Sequence, residues 1–534
     1  MRRLVVTVAS ALIASSMASG AGLGRAADAD PTPAVWLSPA ALSTAPSHEP
    51  SVSLNARGDA VAVWRDRDTG QVTARVRPAT SGTWGAPRAL GRDSELYVPA
   101  AVAVDAQGNA DVVWVGEQGA QRTVQASRYS SVSDRWSSPV AISGPAVRGD
   151  RPGLVLDAGG SATASWLSYG DHGERGLHTA YRPAGQAWRA PVRVVRAQAE
   201  TFIMAFDLAA GGDGTTLLTW SLVSGYWAEP VGTKPNPVSI HAALGRDGVW
   251  QAPTTLATAR DGDGQPVAAV GATGLAAVGW RATEHGNGIV RVSMRRVGAP
   301  AWGPEAKLSF EDGQAEPPQL GIDGHGNVTA IWKVTQVDVE SSTLPAGSDV
   351  WPRPIVVSGP SESAGRVTLA VNARGDSVAV WNTFGFFEAV VAAIRPAGAG
   401  TWSPPVVVSG DGDVVRSEGV AIDAAGNSVV VWTELRPDRW YGGVRSATLD
   451  AAAPGLATLR VPVKGRVGKK LAFSASFRDI SATSIQWRFG DGRSTKGTQV
   501  VHAYRRPGRY TVTVTATDAA RRETRSTRSV RITR

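Results

Sequence analysis

The 534-residue chain carries 55 basic and 46 acidic residues, 60 glycines, 33 prolines and no cysteine. Without cysteine there are no disulfides, thiolate metal sites, cysteine nucleophiles or lipid-modified cysteine anchors. The net charge of +9 is unevenly spread: residues 455–534 hold 18 basic and 4 acidic residues and the rest of the chain 37 and 42, so a segment of +14 follows a body of −5.

In chain order, Met1-Arg2-Arg3 is a basic start, Leu4 to Met17 is an apolar run too short to span a bilayer, and small residues follow up to Ala26 and Ala27. That order predicts a secretory signal peptide over residues 1–27. No later segment reaches spanning length, so the expected product is a secreted, extracellular or cell-surface protein with no transmembrane segment after cleavage. An exported chain of this length without disulfides must be held together by core burial.

From residue 28 to 452 the sequence repeats. N-A-R-G-D-A-V-A-V-W ends at Trp64, D-A-Q-G-N-A-D-V-V-W at Trp114 and D-A-G-G-S-A-T-A-S-W at Trp166, with later copies ending at Trp220, Trp280, Trp332, Trp381 and Trp432. A second series, as in T-W-G-A-P and R-W-S-S-P, comprises Trp36, Trp84, Trp136, Trp188, Trp250, Trp302, Trp351 and Trp402. The spacing from each outer tryptophan to the next inner one is always 28 to 32 residues, and the inner ones recur every 49 to 60. A period of this size marks a repeat architecture.

Each copy predicts four strands; in the first they are 51–54, 60–64, 72–77 and 84–90, with Gly58 in the tight turn between the first two. Eight such copies without helical periodicity predict an all-β fold, an eight-bladed β-propeller. The chain opens on an outer motif at Trp36 and its last copy ends on an inner motif at Trp432. Residues 34–43 are therefore expected to supply the outer strand of the last blade and close the ring.

Residues 455–534 change character. The tryptophan repeat stops, and the strings I-Q-W-R-F-G-D-G-R-S-T and H-A-Y-R-R-P-G-R-Y-T-V-T-V-T-A-T-D appear. Through Trp487, Phe489, Gly490, Asp491, Gly492, His502, Tyr504, Pro507, Gly508, Tyr510 and Asp518 this segment resembles the polycystic kidney disease (PKD) domain. The resemblance implies an Ig-like β-sandwich serving as an extracellular spacer or binding module. Period-two alternation over 510–517 and the F-G-D-G turn agree with that expectation. The repeats resemble those of bacterial secreted propellers and carry the motif of no named enzyme family.

No catalytic motif is found. The seven histidines make no metal-ligand spacing, and there is neither a G-x-S-x-G elbow nor a phosphate loop. Asp105, Asp157, Asp323 and Asp423 recur at the same turn, which points to turn chemistry. The R-G-D triplets at Arg57, Arg148 and Arg374 are read the same way. Function is therefore expected in the unequal loops. Their aromatics are Tyr169, Tyr226, Trp227, Phe384, Phe386, Phe387, Trp440 and Tyr441, on the face opposite the glycine turns. Such rings suit a glycan or a protein partner, or else they pack between blades.

Just before the first strand of each copy stands an acidic residue: Glu49, Glu95, Asp150, Glu200, Asp263, Glu316, Glu362 and Glu418. Either they ring the channel mouth and draw in a cation, for which calcium is the candidate, or they are solvated loop carboxylates. No other cofactor is expected. The resulting expectation is a monomeric, non-catalytic binding or adhesion protein. Its propeller face would take an extracellular glycan or protein and its basic domain an anionic cell-envelope polymer, with no nucleic acid. The alternative is a secreted carbohydrate-active hydrolase or lyase, which would need a converging acid/base pair at the channel.

Overall fold

The computed structural model describes residues 34–534 other than 94–97, 119–120, 145–147, 170–174, 198–200, 225–236, 260–263, 311–312, 335–337, 360–362, 385–387, 411–413, 436–441 and 482. The expected signal peptide lies outside the described residues. Those described form strands and turns with no helix. Eight antiparallel sheets of four or five strands are followed by sheets of three and five strands at the C-terminus.

The repeat unit follows from its sequence. In the first sheet the strands are Ser47–Leu54, Ala60–Asp66, Gln71–Arg77 and Arg88–Arg92, paired in that order. The second strand is Val- and Ala-rich because it is buried on both faces. The turn before it is built by Asn55, whose Oδ1 accepts the N–H groups of Arg57 and Asp59. Gly58 sits there at a φ of 92°, a left-handed conformation suited to glycine. The fourth strand was expected over 84–90 but begins at Arg88. Trp84 precedes Pro87, which has no N–H to give to the ladder, so the tryptophan packs ahead of the strand instead.

The innermost strands touch in chain order around a ring, and the innermost strand of the eighth sheet, Val414–Ile422, touches that of the first, Ser47–Leu54. The outermost strand of the eighth sheet is Val35–Ala41, which pairs antiparallel with Val444–Asp450, Trp36 opposite Leu449. The first sheet's neighbour is thus made from both ends of the propeller segment.

Between each pair of successive sheets lies one apolar cluster holding one tryptophan of each series. Trp114 and Trp136 share the cluster between the first and second sheets, and Trp381 and Trp402 that between the sixth and seventh. Trp432 shares its cluster with Trp36, and Trp64 with Trp84. The inner rings are fully or almost fully buried, whereas the outer ones are half-buried at the rim. Arg77, Arg182 and Arg395, at the ends of third strands, lie over Trp84, Trp188 and Trp402 at 5.1, 5.8 and 5.2 Å from the ring centroids. Trp250 Nε1 and Trp402 Nε1 donate to hydroxyls on the preceding sheet, Thr179 and Ser341.

The C-terminal domain is a sandwich with its own core of Phe473, Phe477, Trp487, Phe489, Tyr504, Val514 and their neighbours. The motif residues explain its shape. Gly490 and Gly492 have φ of 82° and 88°, Tyr504 Oη donates to the Phe489 carbonyl, and His502 stacks on Phe489 while bonding Asp491. The Asp518 carboxylate caps a turn by accepting the Arg522 N–H.

This domain is seated on the propeller. Asp479 N–H donates to the Ala79 carbonyl of the first sheet. Ile480 is buried among Leu42, Leu54, Trp64 and Val444, at the seam where the eighth sheet meets the first. Asp450, the last residue of the eighth sheet's third strand, is fully buried and holds the Arg522 guanidinium and the Ser481 hydroxyl.

Candidate functional site

The turn carboxylates are consumed locally. Asp105, Asp323 and Asp423 each accept backbone N–H groups within their own turn and the side-chain amide of an asparagine four residues on. Asn55 and Asn372 reach across to the next sheet, donating to the Asp105 and Asp423 carbonyls. Arg57 and Arg374 pair with Asp59 and Asp376 inside their turns. The third triplet differs: Arg148 to Asp150 lies within the strand Arg148–Leu156.

Of the loop aromatics, Tyr169 and Phe384 end the second strands of the third and seventh sheets, with only their backbone described. Tyr226, Trp227, Phe386, Phe387, Trp440 and Tyr441 lie outside the described residues.

Among the acidic candidates, Glu95, Glu200, Asp263 and Glu362 also lie outside the described residues. Glu49, Asp150 and Glu418 were placed before their strands but lie inside them, in Ser47–Leu54, Arg148–Leu156 and Val414–Ile422. The cause is a β-bulge that lets the innermost strand continue toward the loop face; the register shifts between His48 and Ser51, Asp150 and Gly153, and Arg416 and Glu418. Glu49 and Arg151 take φ of 53° and 54° there, each just before a proline. Proline is tolerated because the innermost strand has its other edge on the channel and owes it no ladder bond. The Glu316 carboxylate pairs with Lys333 at 3.1 Å, and Asp150 lies 3.8 Å from Arg151.

The channel wall holds one acidic group that sequence reading missed. Asp207, in the innermost strand of the fourth sheet, is 5% exposed and accepts the N–H groups of Leu208 and of Ala268 in the next sheet, each at 2.9 Å. Ser53 does the same at the first sheet, its hydroxyl accepting the Val104 N–H. Burial pushes the Asp207 carboxyl up to about 7, against the opposing pull of the two N–H groups and of Arg366. The folded state therefore keeps a proton that the unfolded chain releases near pH 4. Stability is full below that value and falls as pH rises toward 7. We expect the thermal midpoint to drop between pH 5 and pH 8, by the equivalent of a few kcal/mol at most. Asp207→Asn should remove the Asp207 share of that fall, at a cost of about 1–3 kcal/mol because the amide nitrogen leaves one of the two buried N–H donors without an acceptor. An unchanged slope in scanning calorimetry would remove Asp207 as its source.

The second missed group lies at the seam. Among the described residues, one set of three or more potential metal ligands can converge: Asp450, Asp479 and Asp518, with oxygens within 4.8 Å of one another. All three are buried, and Asp518 Oδ2 has no hydrogen-bond partner. Burial, then mutual repulsion, raises the Asp479 carboxyl to about 7, and burial raises the other two. Arg522 already balances one charge. An orphaned buried oxygen in an acidic cluster suits a hard cation such as calcium. Asp450 ends a propeller strand while Asp479 and Asp518 stand on separate loops of the C-terminal domain, without ligand-like spacing, which is why no motif revealed them.

Ser239 Oγ and His241 Nε2 are 2.8 Å apart, but His241 Nδ1 faces the Thr255 hydroxyl instead of a carboxylate, and its ring stacks on Trp220. Burial lowers the imidazole's proton affinity. This is packing chemistry on a third strand. No helix among the described residues is long and apolar enough to cross a membrane.

Comparison with known proteins identifies the C-terminal domain. Residues 452–533 match the PKD domain family, and the C-terminal sandwich is a PKD domain. Among solved structures, a fungal alcohol oxidase of the AA5 family in complex with copper is 10% identical, covering 94% of this chain and 100% of its own, at a TM-score of 0.43. An α-L-arabinanase of Penicillium chrysogenum is 11% identical over 78% of this chain and 99% of its own, at 0.38. A polysaccharide lyase of family PL25, an ulvan lyase, is 9% identical over 76% and 95%, at 0.43. At this level of similarity they say nothing about chemistry in this chain.

Proposed function

We propose that this is a secreted or cell-surface binding protein without catalytic activity. The propeller would present its loop face to an extracellular glycan or protein, while the basic PKD domain contacts an anionic surface. The observation that carries the reading is the joining of two modules of opposite charge. The +14 domain is not left on a free tether but seated on the propeller, whose residues 28–452 hold 34 basic and 42 acidic residues, a net −8, by Ile480, Asp479 and the Arg522–Asp450 ion pair. A domain held in this way presents its positive surface in a fixed direction relative to the propeller. Calcium, where it binds, would enter at Asp450, Asp479 and Asp518 and would tighten the same seat.

The test is a glycan-binding screen of the full chain paired with an assay for newly released sugar ends. Retention of one glycan class without release supports the proposal. Time-dependent release would replace it with the carbohydrate-active hydrolase or lyase reading.

A further inference from the structure

The two sheets of the PKD domain turn very different faces outward. The five-stranded sheet contains Lys464–Arg466, Ser484–Arg488, Ser494–Lys496, Gly508–Thr517 and Glu523–Thr533. Side chains alternate along each strand. Trp487, Val512, Val514, Ala516, Val530 and Ile532 point into the core, so their neighbours in sequence form the outer face. The pairing register sets the rows of that face. Lys464, Arg531 and Arg509 lie side by side on three adjacent strands. Beyond them come Ser529 with Thr511, then Thr527, Thr513, Arg488 and Ser494, then Arg525, Thr515, Gln486 and Lys496.

The face thus carries Lys464, Arg466, Arg488, Arg509, Arg525 and Arg531, with Lys496 at its edge, and a single acid, Glu523, which pairs with Arg525. These seven cations are all exposed. No large apolar side chain lies among them; the spaces are filled by threonine, serine and Gln486. The opposite, three-stranded sheet turns out Arg460 and Arg478 among Thr458, Ser474, Ser476, Gln499 and an exposed Val501. Of the nine exposed cations on the two broad sides of the sandwich, seven are therefore collected on one side.

The core does not need that arrangement. The cations face away from it, and seven like charges on one sheet repel each other. With strands about 4.8 Å apart and alternate residues about 7 Å apart, the face spans roughly 20 Å in each direction. Guanidinium forks supply paired donors to oxyanions, and hydroxyls between the rows can bond a ligand's own hydroxyl groups. A lipid surface is the poorer match, because binding there draws on apolar side chains entering the headgroup layer and this face has none.

We propose that the outer face of the five-stranded sheet is the docking surface for a linear anionic glycan, lying across the strands with its charges on the arginine rows. This rests on the anionic-surface reading of the domain given above and names its face and partner class.

The experiment uses the full chain on immobilised heparin as the anionic-glycan probe, and on phosphatidylserine-containing vesicles. One variant combines Arg488→Gln and Arg531→Gln; a control combines Arg460→Gln and Arg478→Gln, removing equal charge from the other sheet. The parent should be retained at low salt. The first variant should bind heparin roughly tenfold more weakly and elute earlier in the salt gradient, while the control stays near the parent. Equal weakening by both variants would reduce the effect to net charge and overturn the docking face. Loss of vesicle binding with heparin binding unchanged would overturn it in favour of a membrane. Passage of the parent through heparin at low salt would overturn the anionic-surface reading itself.

Discussion

Deleting residues 28–43 unravels the ring. The strand Val35–Ala41 supplies the last ladder of the eighth sheet, and Trp36 covers the cluster built on Trp432, Val430 and Leu449. Without it, Val444–Asp450 becomes an open edge whose N–H and C=O groups are free to pair with another chain. Truncating a large packed aromatic alone costs up to about 3–5 kcal/mol. The whole strand removes more, so the deletion should lower the thermal midpoint strongly and give a concentration-dependent rise in light scattering. A truncated protein that melts like the parent and stays monomeric would show that the ring closes some other way.

Arg522→Ala and Ile480→Ala should each release the PKD domain from the propeller. Removing the guanidinium leaves Asp450 fully buried beside Asp479 and Asp518 with only the Ser481 hydroxyl to offset it, a situation that costs about 3–5 kcal/mol. Truncating Ile480 empties part of a cluster shared by the first and eighth sheets, at about 2–5 kcal/mol. Each domain keeps its own core, so the expected readout is separation ahead of unfolding. Limited proteolysis should cut between Asp450 and Gly455 much faster in the variants, releasing a folded fragment of the C-terminal domain. Cleavage as slow as in the parent would mean that the seat depends on other contacts. Arg528→Ala, exposed on the same domain, should leave the cleavage rate unchanged.

The architecture was legible because its signals repeat. Two tryptophan series with a constant offset reported one apolar cluster per sheet interface, and the unpaired first member, Trp36, pointed to the strand that meets Trp432. The PKD domain was legible because Gly490, Gly492 and Tyr504 serve turns and a core that few other residues could build. Strand ends were less so. Pro87, part of the recurring outer motif, delays one strand, and bulges at the same place in five innermost strands lengthen them, but a proline marks only two of the five, at Pro50 and Pro152. The seam was invisible for a different reason. Asp450, Asp479 and Asp518 come together through domain docking, and nothing in their separation along the chain marks them as neighbours. Asp207 escaped notice because a lone carboxylate in an apolar strand looks like a solvated position, whereas two backbone N–H groups hold it in the wall.

The most direct test of the closed ring is a cross-link, which a cysteine-free chain makes simple to read. Ala40 and Ser446 are paired across the closing ladder, and directly opposed residues in an antiparallel pair have Cα atoms about 4.5–5.5 Å apart, within disulfide range. In the variant carrying Ala40→Cys and Ser446→Cys, mild oxidation should form a bond within one chain. It should raise the thermal midpoint and give a compact band on a non-reducing gel that reverts on reduction. Free thiols after oxidation, or bonds only between chains, would contradict a ring closed by its own N-terminal strand.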